Sequence, residues 1–328
     1  MRLSLLDRSR TRAGHPESDA LVHSVERAAQ AEQAGYHRFW VAEHHAVPGI
    51  ASGAPAVLLA AIGARTRTIR LGSGGVMLPN HQPLVVAEQF LMLEALFPGR
   101  VDLGLGRSLG FTGPVRDALR RTEADPDSFA AEIGELRDFL HGEAEVTARP
   151  AAGGQIPMFV LATGSGLDLA AQLGLPVVIG GPVLEHAEIT DRLADYRRSF
   201  RPHRGSAPSV IVSLDILIAD TDEQARELAL PECWAMVRSR STGLFEPLEA
   251  PEQIRDRRLS GREQERLRQS LDAACAGSAT TVRRRLEQLI DRTGAEEILS
   301  SASTFDRDAL ADSDRRLAAL IASSRPTA

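Results

Sequence analysis

Short apolar runs along this chain alternate with longer stretches whose apolar residues recur every three or four positions, a strand-then-helix rhythm. Leu3 to Leu6 is the first apolar run, followed by a Ser/Arg/Gly/Pro-rich loop through Pro16. Ser18 or Asp19 can cap the next helix, on which Leu21, Val25, Ala28 and Ala31 share a face before Gly35 closes it. Phe39 to Ala42 reads as a second, buried strand. Residues 55–65 read as a helix with Pro55 in its first turn, apolar nearly all round. Ile69 to Gly72 and Val101 to Leu105 are the next strands, separated by a helix from Pro83 to Leu96 that Pro98-Gly99 ends. A long loop and a helix around Phe129–Leu140 precede a fifth strand, Pro157 to Ala162, with its turn at Thr163–Gly166 and its helix at Leu167–Leu173. Pro176–Ile179 and Val210–Ile218 are further strands, each followed by a helical pattern. A polar stretch, 243–277, then interrupts the rhythm before a helix at Thr280–Arg292, an eighth strand at Glu297–Ser300 and a last helix at Arg307–Ile321.

Alternating strands and helices imply a parallel sheet, and eight such units at this length imply a closed (β/α)8 barrel, a TIM barrel, with an insertion before the eighth strand. No linker divides the 328 residues, so 1–328 is expected to be one domain, with 243–277 as lid or insertion. The alternative is a doubly wound open sheet.

Composition narrows the function. The chain is 43% hydrophobic, 25% charged and carries a formal charge of -6, with no basic stripe, which argues against nucleic acid as a partner. No apolar run is long enough to span a membrane, and Met1 to Asp7 runs into a strand instead of forming a signal sequence. Cys233 and Cys275 have neither metal nor redox spacing, which fits a cytoplasmic setting. All 38 basic residues are arginines, so chemistry that needs a lysine amine is excluded. The 55–65 helix offers apolar surface on more faces than a barrel covers. A homodimer is therefore expected, with this helix and the 83–96 helix facing their mates.

Candidate chemistry begins where Phe39–Ala42 runs into Glu43, His44 and His45, because barrel enzymes place their reacting groups at the C-terminal ends of strands. Adjacent histidines on an extended backbone point to opposite sides, which is poor spacing for a metal, although His81 is a possible third partner; no metal is assigned. Gly104-Leu-Gly106-Arg-Ser-Leu-Gly110 fails the dinucleotide fingerprint at Leu109, and the 163–166 turn fails it at Leu169. Thr163, Gly164, Ser165 and Gly166 still suit an anion, with backbone N–H groups at a helix start and two hydroxyls, and Arg107 supplies the counter-charge. Glycines at 72, 74 and 75 suggest a bulge approached by a flat ligand. Together these features suit a phosphorylated cofactor with a planar head.

The runs Gly35-Tyr-His-Arg-Phe-Trp-Val-Ala-Glu-His-His45, Ile69-Arg-Leu-Gly-Ser-Gly-Gly-Val-Met-Leu-Pro-Asn-His81, Val86-Ala-Glu-Gln-Phe90 and Pro98-Gly-Arg-Val-Asp-Leu-Gly-Leu-Gly-Arg107 resemble the bacterial-luciferase-like flavin monooxygenases. Gly277-Ser-Ala-Thr-Thr-Val-Arg283 and Thr293-Gly-Ala-Glu-Glu-Ile-Leu299 are similar to that family's closing segment. The likeness covers nearly the whole chain, weakest at 108–155 and 230–275. It implies a usually dimeric (β/α)8 barrel that takes reduced FMN (FMNH2) from a separate reductase. With O2 as co-substrate, a flavin hydroperoxide would oxygenate a small organic substrate. Carried over by position, His44 matches the catalytic histidine, with His45 and Glu43 beside it. Ser73, Gly74 and Gly75 match a bulge, often with a non-proline cis peptide, that presses on the flavin ring. Arg107 and Thr163–Gly166 match the phosphate site.

Two departures limit the carry-over. Gly106 stands where luciferases have a reactive cysteine, and 243–277 is not luciferase-like, so light emission and an aldehyde substrate are not implied. A deazaflavin-dependent hydride-transfer enzyme and a non-catalytic flavin-binding protein share the barrel and remain alternatives.

Overall fold

The structure, a computed structural model, describes residues 1–110, 112–120, 126–151, 155–162 and 164–323. Ten strands run through the described residues: β1 (Arg2–Asp7), β2 (Arg38–Val41), β3 (Arg70–Met77), β4 (Val101–Gly106), β5 (Met158–Leu161), β6 (Val177–Gly180), β7 (Val210–Leu214), β8 (Ile216–Ile218), β9 (Cys275–Gly277) and β10 (Glu297–Ser300). Eight close a parallel barrel in the order β1-β10-β7-β6-β5-β4-β3-β2, while β8 and β9 pair with each other outside it. The open-sheet alternative is thereby set aside.

The helices are α1 (Ser18–Gln33), α2 (Pro55–Arg65), α3 (Pro83–Leu96), α4 (Gly113–Ala118), α5 (Pro126–His141), α6 (Gly166–Leu173), α7 (Ile189–Ser199), α8 (Asp222–Thr242), α9 (Pro251–Arg255), α10 (Gly261–Ala273), α11 (Ala279–Thr293) and α12 (Arg307–Ser323). On α11 the buried residues Val282, Leu286, Leu289 and Thr293 follow the helical period and turn one stripe to the barrel. Ser18 begins α1 instead of capping it: Glu17 occupies the cap position and its side chain makes no capping bond.

Two differences from the sequence reading concern the insertion. The expected strand Val210–Ile218 breaks at Asp215. Up to Leu214 the chain pairs with β6 and β10, whereas Ile216–Ile218 pairs with Cys275–Gly277. Asp215 accounts for the break, since its carboxylate is drawn to Arg8 of the β1 end at 3.1 Å and to the Ser301 hydroxyl at 2.7 Å. The insertion is also more ordered than a polar stretch suggests. Leu217, Leu230, Trp234, Ile254 and Leu267 bury one another in a second core that also takes in Leu310 of α12. The segment from β8 through α8–α10 to β9 is thus a cap with its own packing, and α11, which lies against α7 and α12, is the barrel helix.

Charged residues brace the opposite end of the barrel, at the N-terminal ends of the strands. Arg38 donates to Asp102 at 2.5 Å and to Glu297 at 2.9 Å, while Ser4 donates to the same Glu297 carboxylate. All of these are buried, so removing one partner would strand a charge at a cost of about 3–5 kcal/mol. The mouth is left for chemistry.

Candidate active site

Strand β2 delivers Glu43, His44 and His45 just past its last residue. Glu43 is buried, and its Oε1 accepts from His45 Nε2 at 2.6 Å and from His81 Nε2 at 2.7 Å. Its Oε2 accepts from the Met77 backbone N–H at 3.0 Å, which ties the end of β2 to the end of β3. Burial pushes the carboxyl up, but the hydrogen bonds from His45, His81 and Met77 outweigh it and hold Glu43 down at about 2. His44 lies between Glu43 and His45 in the chain. Its N–H donates to Ser52 O at 2.9 Å, and burial together with the charges of Arg8 and Arg10 lowers the imidazole to about 4.

Strand β3 carries the expected bulge. The Gly74–Gly75 peptide is cis, and the β3–β4 register shifts between Ser73 and Val76. A Cβ on Gly75 would stand 2.9 Å from the Gly104 backbone, which cannot give way, whereas one on Gly74 would stand 2.6 Å from Leu6 Cδ1, the end of a side chain that can turn aside. Ser73 stands at the start of this register shift. Its hydroxyl is fully buried, donating to Gly104 O at 2.8 Å and accepting from Gly104 N at 3.1 Å, so it fastens the bulge to β4.

The turn expected to hold an anion lies where two strand ends meet. Arg107, just beyond β4, donates to Ser165 Oγ at 3.2 Å where α6 begins at Gly166. Gly164 has φ +55°, and its carbonyl accepts from Arg192 of α7 at 2.7 Å. Thr163 lies outside the described residues. Gly106 has ample space, since a Cβ there would meet only Val76 O at 3.8 Å.

Between the mouth and the cap lies a cavity of about 1090 Å³. Trp40, Gly74, Leu161 and Val178 line its barrel side, and Cys233, Met236 and Cys275 its cap side. Arg8 and Asp215 enter the wall as an ion pair. Arg8 also lies 3.5 Å from Glu232, which pairs with Arg10 at 2.9 Å, and so anchors α8 of the cap to the β1 end. Arg8, Asp215, Glu232, His81 and Arg192 were not assigned from sequence. Arg8 and Asp215 had a readable signal, as each directly follows a barrel strand at its C-terminal end. Glu232 and Arg192 had none, because each sits in an ordinary helical pattern.

The sequence profile described as luciferase-like monooxygenase matches residues 1–297. A luciferase-like monooxygenase of Escherichia coli (strain K12) is 39% identical over 316 residues, spanning 93% of this chain and 92% of the relative. This chain belongs to the luciferase-like monooxygenase family. The N-acetyl-S-alkylcysteine monooxygenase of Bacillus subtilis is 39% identical over 239 residues, 69% of this chain and 70% of that one. The crystal structure of apo-MsnO8 superposes with a TM-score of 0.88 at 32% identity, covering 98% of both chains. Membership in the luciferase-like monooxygenases makes the chain an oxidoreductase by family, and no described helix is long and apolar enough to cross a membrane.

Proposed function

We propose that this chain is the oxygenase component of a two-component system, taking reduced FMN from a separate reductase and using O2 to oxygenate a small organic substrate. The observation that carries the reading is the meeting of Arg107 with Ser165 at 3.2 Å, at the start of α6 and on the same barrel end as Gly74. A guanidinium, a hydroxyl and a helix start are what a terminal phosphate needs. The side-chain-free face at Gly74 and Gly75 fits a flat ring, and the apolar cavity beyond it has room for a second molecule.

Bound there, reduced FMN would supply two of the four electrons that O2 takes up, and the substrate the other two. The residues would do the rest. Arg107, Ser165 and the backbone of Gly164–Gly166 hold the phosphate end. Ser73 keeps the bulge against β4, so that Gly74 and Gly75 form the ring's support. His44, next to Arg8 of the cavity wall, holds or moves a proton beside the ring. Glu43 fixes His45 and His81. The cap lines the far side of the cavity, where a small substrate packs against Met236 and the two cysteines.

The reading includes a homodimer. Val57 of α2 and Val85, Met92 and Leu96 of α3 are large apolar side chains left exposed on adjacent helices, and a second copy would cover them. Anaerobic titration tests the cofactor: reduced FMN should bind in the micromolar range or tighter. Preference for a deazaflavin over FMN would overturn the oxygenase reading in favour of hydride transfer.

A further inference from the structure

We infer that Glu43, His45 and His81 form a binding site for a divalent transition-metal ion such as zinc. Two imidazole nitrogens approach one carboxylate oxygen, at 2.6 and 2.7 Å, and all three donor atoms lie within 4.8 Å of one another. Two histidines and one carboxylate suit a borderline-soft divalent ion and leave the fourth tetrahedral position for water. In a tetrahedral zinc site with bonds of about 2.0–2.1 Å, neighbouring donors stand roughly 3.3–3.5 Å apart. Side-chain rotations that open the two contacts to Glu43 by somewhat under an ångström, and bring the two imidazole nitrogens to the same spacing, would therefore admit an ion.

The surroundings favour capture. The other oxygen of Glu43 is held by the Met77 N–H at 3.0 Å, which orients the carboxylate as outer hydrogen bonds do in metal sites. The Glu43 side chain is 1% exposed, whereas those of His45 and His81 are 21% and 29% exposed, so the donors are fixed from behind and reachable from one side. In the ion-free form each Nε2–H donates to the carboxylate. On binding, a neutral imidazole moves its proton to Nδ1 and offers the Nε2 lone pair to the metal, while an imidazolium releases one proton to solvent. The ion would take over a link that hydrogen bonds now make, between the end of β2 and the turn after β3.

The site is independent of the flavin reading, because it is tested on flavin-free protein. Tag-free chain is titrated with Zn2+ alone in competition with a chromophoric chelator, and with Co2+ for its visible absorption. The expected result is one equivalent bound at micromolar affinity or tighter. His81→Ala and Glu43→Gln should each weaken it by at least about tenfold, while His186→Ala, on an exposed residue, should change nothing. Absence of Zn2+ binding tighter than about 100 µM would overturn the assignment, as would equal affinity in the His81→Ala and Glu43→Gln proteins. If either variant fails to fold by circular dichroism, the parent's Co2+ spectrum decides: strong tetrahedral bands support the site, and their absence refutes it.

Discussion

Arg107→Ala isolates the phosphate contact. The guanidinium is exposed and donates to Ser165 at the start of α6, so its removal strands no buried charge and should leave the fold intact. A charge-assisted hydrogen bond is worth about 1.5–3 kcal/mol, and exposure places this one at the lower end, so FMN affinity should fall roughly tenfold. Riboflavin, which lacks the phosphate, supplies the control. Parent and variant should bind it equally, making the tenfold effect a coupling between Arg107 and the phosphate. Anaerobic fluorescence titration of both ligands with both proteins measures it. Equal weakening of FMN and riboflavin, or none, would refute the phosphate assignment.

Other expectations follow from single groups. His44→Ala should lose substrate oxygenation by at least about 100-fold at matched reduced-flavin supply while still binding FMN, and turnover within a few-fold of the parent would contradict its role. Gly104→Ala puts a Cβ 2.2 Å from Ser73 O, so its urea midpoint should fall by the equivalent of about 2–3 kcal/mol. Burial, opposed by Asp7 and reinforced by Arg12 and Arg27, holds His23 at about 4 against an ordinary 6.5. The unfolded chain therefore takes up the proton first, and stability present above pH 6.5 is lost as pH falls toward 4. After allowance for partial exposure the loss is about 1–2 kcal/mol, and a plot of Tm against pH should flatten in His23→Gln. Met92→Asp combined with Leu96→Asp should convert a dimer to the 35.4 kDa monomer in light scattering; a monomeric parent would contradict the dimer.

The barrel was legible because its strands are short, apolar and regularly spaced, and because the glycines at 74, 75 and 104 mark a place where β3 and β4 approach closely. The role of Ser73 was not legible, since nothing local reveals that its hydroxyl is spent on Gly104. The cap was hidden for a related reason: Leu217, Trp234, Ile254 and Leu267 are scattered among charged residues and form a core only when four elements meet. Ion pairs such as Arg8 with Asp215, 207 residues apart, depend on barrel closure, which sequence pattern implies without giving the pairing.

The central claim is that this chain directs the reaction of reduced FMN with O2, and rapid mixing of the reduced-FMN complex with oxygenated buffer tests it most directly. The account predicts a transient near-ultraviolet absorbance that precedes the oxidised-FMN spectrum, with hydrogen peroxide released only as that absorbance decays. Reoxidation in a single phase, at the rate of free reduced FMN and with immediate peroxide release, would contradict it.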